Sequence, residues 1–157
     1  MKNLDKLLYT YKHRKVVMFL GKKYMNNEEL LKRLEKHDLD KMYLLLMYQK
    51  NELEGVHSSI ANHHDNGKEK DYLDYVEMVL DWESARYTKP DKPLNAYDTL
   101  YKYYPHLEKE ILPIIKEFNI DKSNLPMESD VVEYVKTIDN SNEEDVKKEL
   151  IGYIEQL

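Results

Sequence analysis

Apolar side chains in this chain return every third or fourth residue, and nowhere do four or more residues alternate strictly in the way a half-buried strand requires. That period belongs to amphipathic helices and predicts an all-α fold. A first helix is predicted over residues 4–24, with Tyr9, His13, Val16, Val17 and Leu20 on one stripe and Lys12, Arg14, Lys15 and Lys22 mostly off it. Asn26 with Glu29 reads as the N-cap signal of a second helix, which carries Leu30, Leu34, His37, Asp38 and Lys41 along one line. A buried helical run over 42–48 and a short helix over 53–64, with His57, Ile60, Ala61 and His64 on one side, lead to the turn Asp65-Asn66-Gly67. The helix expected over 71–86 presents Tyr75, Met78, Val79, Trp82 and Ala85, with Asp81 at the edge of that face, and Lys89-Pro90-Asp91-Lys92-Pro93 breaks it. Tyr97, Tyr101 and Tyr104 stripe a helix that Pro105 ends. Helices over 107–118, 129–138 and 143–156 complete the chain, the last opened by a Ser141/Glu144 capping box.

Composition narrows the function classes. A chain of 157 residues has room for one domain or two at most, and 41% hydrophobic content with only four Gly excludes collagenous and largely disordered classes. Its apolar runs are far shorter than the roughly 18 to 20 residues that cross a bilayer, and no charged-then-apolar region opens it, so the expected location is the cytoplasm, with no membrane partner. Cysteine is absent. Disulfides, thiolate nucleophiles and sulfur-bound zinc are therefore excluded, and any metal must be held by His and carboxylate. The net charge of −6 is unevenly spread: residues 1–25 hold seven Lys/Arg against Asp5, and residues 126–157 hold nine Asp/Glu against Lys136, Lys147 and Lys148. A basic first helix could draw in an anionic substrate, while the overall acidity argues against duplex nucleic acid. The plainer reading is two solvated helix faces of opposite sign. The turn at 121–126 marks the expected boundary between a helical domain (1–122) and a C-terminal helical extension packed on it (123–157).

Five of the six histidines, His13, His37, His57, His63 and His64, fall in the first 64 residues, and Asp38 follows His37 directly. Imidazole and carboxylate are the ligands that borderline divalent metals take where sulfur is absent, and helix bundles build such sites from inward side chains on facing helices. A lone His on an apolar face is more often a hydrogen-bonded core residue; here several helices each bring a polar side chain to an apolar stripe. Asp38 beside His37 would put a charge near the core, which is costly unless it is paired or metal-bound. Asp81 could instead face solvent beside Glu77 and Arg86. His57 and His64 lie two turns apart and can serve one site only if it spans about 10 Å or holds two ions. His106 reads as structural, the Tyr stripe as core and rim, and Trp82 as an anchor of the bundle. No phosphate loop, dinucleotide fingerprint, H-E-x-x-H or G-x-S-x-G motif competes.

His13, then His37-Asp38, then Asp81 resembles the H...HD...D signature of the HD superfamily of all-helical metal-dependent phosphohydrolases, and the run His37-Asp38-Leu39-Asp40-Lys41 is similar to its HDxxK form. His57 and the His63-His64 doublet look like the extra histidines of its multi-metal members, although no Gly-Tyr-Pro element follows the doublet and the gap from Asp38 to His57 is short. The likeness covers about residues 5–105 and is greatest to a small group from bacteria and phages. It implies an HD-like helical bundle in which His13, His37, Asp38 and Asp81 hold a divalent transition metal (Mn, Fe, Co, Ni or Zn). A second ion would sit at His57 and either His63 or His64, bridged by Asp38. Lys41 would serve catalysis with Asp38, and Lys41 and Arg86 would bind a small, phosphorylated, nucleotide-like substrate. The alternative, favoured by the small size and the acidic C-terminal third, is a non-catalytic HD-like module that keeps the metal or merely the fold, binds a protein or nucleotide, and could be phage-encoded. The Tyr-rich middle could cover a homodimer contact.

Overall fold

Among the described residues one helix packs against every other α-helix. The computed structural model describes residues 3–37, 66–89, 91, 94–140 and, near the C-terminus, 144, 148, 149 and 152. Every regular element among them is helical: α1 (Asn3–Tyr24), α2 (Glu28–Glu35), α3 (Tyr72–Thr88), α4 (Ala96–Tyr103), a 3-10 turn (Pro105–Leu107), α5 (Glu108–Glu117) and α6 (Ser129–Asp139). The fold is all-α. The helices expected over 42–48 and 53–64, and most of that over 143–156, lie outside the described residues, although Glu144, Lys148, Glu149 and Gly152 are helical.

The α1–α2 junction departs from the simple capping pattern. Met25 and Asn26 both donate their backbone N–H to the Gly21 carbonyl, at 3.1 and 2.9 Å, and Asn26 takes a φ of 49°. Asn26 thus closes α1 in the left-handed conformation that Asn tolerates better than most residues. The N-cap of α2 is its neighbour Asn27, whose side chain accepts the Leu30 N–H at 3.0 Å. The second helix is also shorter than its stripe suggests. It ends at Glu35, and His37 sits in the turn beyond it, its N–H bonded to the Leu34 carbonyl at 3.0 Å. The line from Leu30 to Lys41 is thus interrupted after Glu35, and the placement of Lys41 relative to His37 lies outside the described residues.

Helix α3 opens on a reciprocal cap in which Asp71 accepts the Asp74 N–H at 2.8 Å and Asp74 accepts the Asp71 N–H at 3.0 Å. Arg33 on α2 donates to both carboxylates, at 2.9 and 3.1 Å, tying α2 to the start of α3. Its salt bridge to Asp71 holds that carboxyl at about 2. Because α1, α2, α4, α5 and α6 all pack on α3, it is not the one-faced helix its sequence suggests. Val76, Met78, Val79 and Leu80 are fully buried, and Trp82 and Ala85 are only half-buried. The core adds Val16, Val17 and Leu20 of α1, Leu30 and Leu34 of α2, Ile111, Ile114 and Ile115 of α5, and Val131 and Val135 of α6. Each such side chain contributes about 1.5 to 3 kcal/mol relative to exposure.

The oppositely charged ends meet each other. Lys12 pairs with Asp139 at 2.8 Å, Lys15 with Glu149 at 2.5 Å and Lys23 with Asp130 at 2.6 Å. Tyr11 also donates to Glu149, at 2.6 Å. Instead of two separate solvated faces, α1 and the acidic C-terminal third form one seam, and Lys12, Lys15 and Lys23, which could have steered an anion, are engaged within the chain. The tyrosines of α4 form a rim: Tyr101 and Tyr103 are exposed, and Trp82 stacks on Tyr104 with centroids 4.7 Å apart. His106 is exposed in the 3-10 turn. Among the described residues no helix is long and apolar enough to cross a membrane.

Candidate metal centre

Three of the packed elements each bring one metal-ligating side chain to a common point. His13 comes from the inward stripe of α1, His37 from the turn after α2, and Asp81 from α3. His13 Nε2 lies 2.5 Å from Asp81 Oδ1, His37 Nε2 lies 3.3 Å from the same oxygen, and the two Nε2 atoms are 3.3 Å apart. Both histidines are buried, His37 at 1% exposure, while the Asp81 side chain keeps 18%. The approach from solvent is therefore at the carboxylate.

Hydrogen bonding assigns the protons. Glu77 Oε1 lies 2.9 Å from His37 Nδ1, and a carboxylate facing a ring nitrogen is an acceptor, so that nitrogen carries hydrogen. Ser84 Oγ donates its one hydrogen to the Asp81 carbonyl at 2.8 Å. Towards His13 Nδ1, 3.1 Å away, the same hydroxyl must accept, and that nitrogen carries hydrogen as well. A neutral imidazole with hydrogen on Nδ1 presents a lone pair at Nε2. Two such lone pairs and a carboxylate oxygen within 3.3 Å repel one another unless a proton or a cation lies between them.

A metal with bonds of about 2.1 Å sets neighbouring ligand atoms roughly 3.0 to 3.4 Å apart. Two of the three edges fall in that range, and the His13–Asp81 edge is shorter. Two imidazoles and one carboxylate suit Mn, Fe, Co, Ni or Zn. Without an ion, a proton on the facing ring nitrogens takes that place: burial pushes the Asp81 carboxyl up, but the charge and hydrogen bonds of His13 and His37, when protonated, outweigh it and hold the carboxyl well below the usual range. Asp81 is ionised, as a ligand must be.

The residue after His13 secures its opposite number. Arg14, 5% exposed, donates Nε–H to the His37 carbonyl at 2.6 Å and an Nη hydrogen to the Glu35 carbonyl. The last carbonyls of a helix lack partners within it and carry its negative dipole end, so a buried guanidinium there is satisfied and holds the His37 turn in place. On the other side, Tyr9 stacks on His13 at 6.2 Å and its hydroxyl meets Thr88 Oγ1 at 3.3 Å.

Of the residues singled out in the sequence, His13, His37 and Asp81 are brought together. Asp38, Lys41, His57, His63 and His64 lie outside the described residues. Arg86 is placed elsewhere: it donates to Glu83 at 3.3 Å and to the Leu125 carbonyl, and its guanidinium lies over Tyr87. It is 8% exposed, and these contacts make it a brace between α3 and the segment before α6 rather than a substrate ligand. Sequence reasoning missed Glu77, Ser84 and Arg14. The signal was there in part, since Glu77 and Ser84 stand four before and three after Asp81 on one helix face.

Comparison of the chain with protein-family models, with curated proteins and with solved structures gives no match.

Proposed function

We propose that the chain is a divalent-metal-dependent phosphohydrolase acting on a small, nucleotide-like phosphorylated substrate, with His13, His37 and Asp81 as the ligands. The supporting observation is the convergence of His13 Nε2, His37 Nε2 and Asp81 Oδ1, with hydrogen bonds that leave both ring lone pairs turned inward. A divalent ion held there supplies Lewis acidity and lowers the pKa of water. The buried imidazoles shut water out from the inner side and so confine substrate to the Asp81 edge. The choice of a phosphorylated substrate comes from the HDxxK resemblance, in which Asp38 completes the ligand set and Lys41 faces phosphate charge.

Metal content of the purified protein, measured by mass spectrometry, and phosphate release from a panel of phosphomonoesters and phosphodiesters in Mn, Fe, Co, Ni and Zn test this reading. Stoichiometric metal with turnover that disappears in His37→Ala is the expected result. Stoichiometric metal without turnover on any panel member would favour a metal-holding scaffold, and protein that neither retains nor takes up metal would overturn the reading altogether.

A further inference from the structure

Glu77, Asp81, Ser84 and Thr88 follow one another at i, i+4, i+7 and i+11 along α3, so one face of the central helix carries a polar line through an apolar core. Glu77 is 8% exposed and Ser84 is fully buried. Burial without partners would be costly for both. Each spends a hydrogen-bonding atom on the Nδ1 of one of the two histidines, Glu77 on His37 at 2.9 Å and Ser84 on His13 at 3.1 Å.

We infer that Glu77 and Ser84 are positioning residues that fix the tautomers of His37 and His13, holding hydrogen on Nδ1 so that both Nε2 atoms are delivered to the Asp81 carboxylate as ligands. The inference rests on the metal reading above. A histidine with no such partner tends in water to keep its hydrogen on Nε2, the nitrogen that has to ligate here; which nitrogen is free is set by the hydrogen bond the other one makes. Glu77 acts as the stronger orienter, because an ionised acceptor also raises the basicity of the ring it holds. Ser84 acts through its own fixed direction: with its hydrogen committed to the Asp81 carbonyl at 2.8 Å, it has only lone pairs to offer His13. Because ligand and both orienters share one rigid helix, their spacing does not depend on any loop. Helix α3 thus sets the geometry of a centre of which it supplies one ligand.

Two measurements on the full chain test this. The first is the ring-nitrogen NMR spectrum of histidine-labelled protein at about pH 8, with zinc and separately with chelator. In both, Nδ1 of His13 and His37 should carry hydrogen. In Glu77→Ala the His37 hydrogen should move to Nε2, in Ser84→Ala that of His13 should move, and Glu77→Gln, which keeps an acceptor oxygen, should retain the wild-type pattern at His37. The second is zinc and cobalt affinity by titration. Glu77→Ala should bind roughly 10- to 100-fold more weakly than wild type, with Glu77→Gln in between. A bare Nδ1 on His37 in the wild-type spectrum would overturn the inference. So would Glu77→Ala that keeps its helical circular dichroism and binds metal as tightly as the parent. If Glu77→Ala does not fold, the wild-type and Glu77→Gln spectra still decide. A wild-type protein that takes up no metal defeats the metal reading alone, and the position of the Nδ1 hydrogens continues to uphold or overturn the roles of Glu77 and Ser84.

Discussion

Asp81 is the residue at which the centre is most exposed to substitution, since it faces both Nε2 atoms and is the side chain nearest solvent. Asp81→Asn should lose stoichiometric metal retention while leaving helical circular dichroism nearly unchanged, because the apolar core supplies most of the stability; metal analysis after gel filtration checks this. A second buried carboxylate titrates in the opposite sense. Burial pushes the Glu83 carboxyl up, although the Ala96 N–H at 2.8 Å and Arg86 draw it down. The folded chain then holds that proton more tightly than the unfolded chain. Its contribution is fully present below the ordinary carboxyl range, near about 4.3, and is lost as pH rises through and above it. Denaturant unfolding between pH 4 and 7 should show wild type losing stability relative to Glu83→Gln, and parallel curves would contradict the sign. At this scale the sequence was legible where a polar residue interrupts an apolar stripe, as His13 and His37 do. Glu77, Glu83 and Arg14 were not legible, because a charged residue on a helix reads as solvent-facing unless neighbours are known to cover that side.

Among the elements, α1 and α2 approach closely at Gly21. A Cβ built on Gly21 would lie 2.3 Å from Leu34 Cδ1. Ala in place of a helical Gly gains about 1 kcal/mol of propensity, but overpacking a filled core costs about 1 to 3 kcal/mol. Leu34 is fully buried and has no solvent to swing into. Gly21→Ala should therefore destabilise by about 1 kcal/mol, read as a lower denaturant midpoint at unchanged slope. Helix existence and order followed from the 3.6-residue period, as α1, α5 and α6 illustrate. The end of α2 did not, because His37 continues the apolar stripe with no Gly or Pro before it, while Arg14 reaches across from α1 to the carbonyls of Glu35 and His37. Nor did the all-round burial of α3, since a central helix needs no single apolar face when five neighbours share it.

For the whole molecule, the seam between α1 and the C-terminal third turns a lopsided charge distribution into an internal contact. Exposed pairs of this kind are individually weak and are screened by salt. Replacing Lys12, Lys15 and Lys23 together by Gln should lower stability by about 1 kcal/mol at low ionic strength and by much less in 1 M salt, which unfolding at the two salt concentrations would show. The asymmetry was visible in the chain, but its pairing was not, because the partners are separated by more than a hundred residues and only the topology brings them together. Distance along the chain also bears on His13-Arg14, the dipeptide that supplies one candidate ligand and anchors the turn bearing the next. His37 lies 24 residues from His13, whereas Asp81 lies 68 away. Closing the shorter loop is favoured by about 1 kcal/mol of chain entropy. On a folding trajectory the two imidazoles would then meet first and the carboxylate last, so an ion present during folding would find a two-nitrogen foothold before α3 has docked.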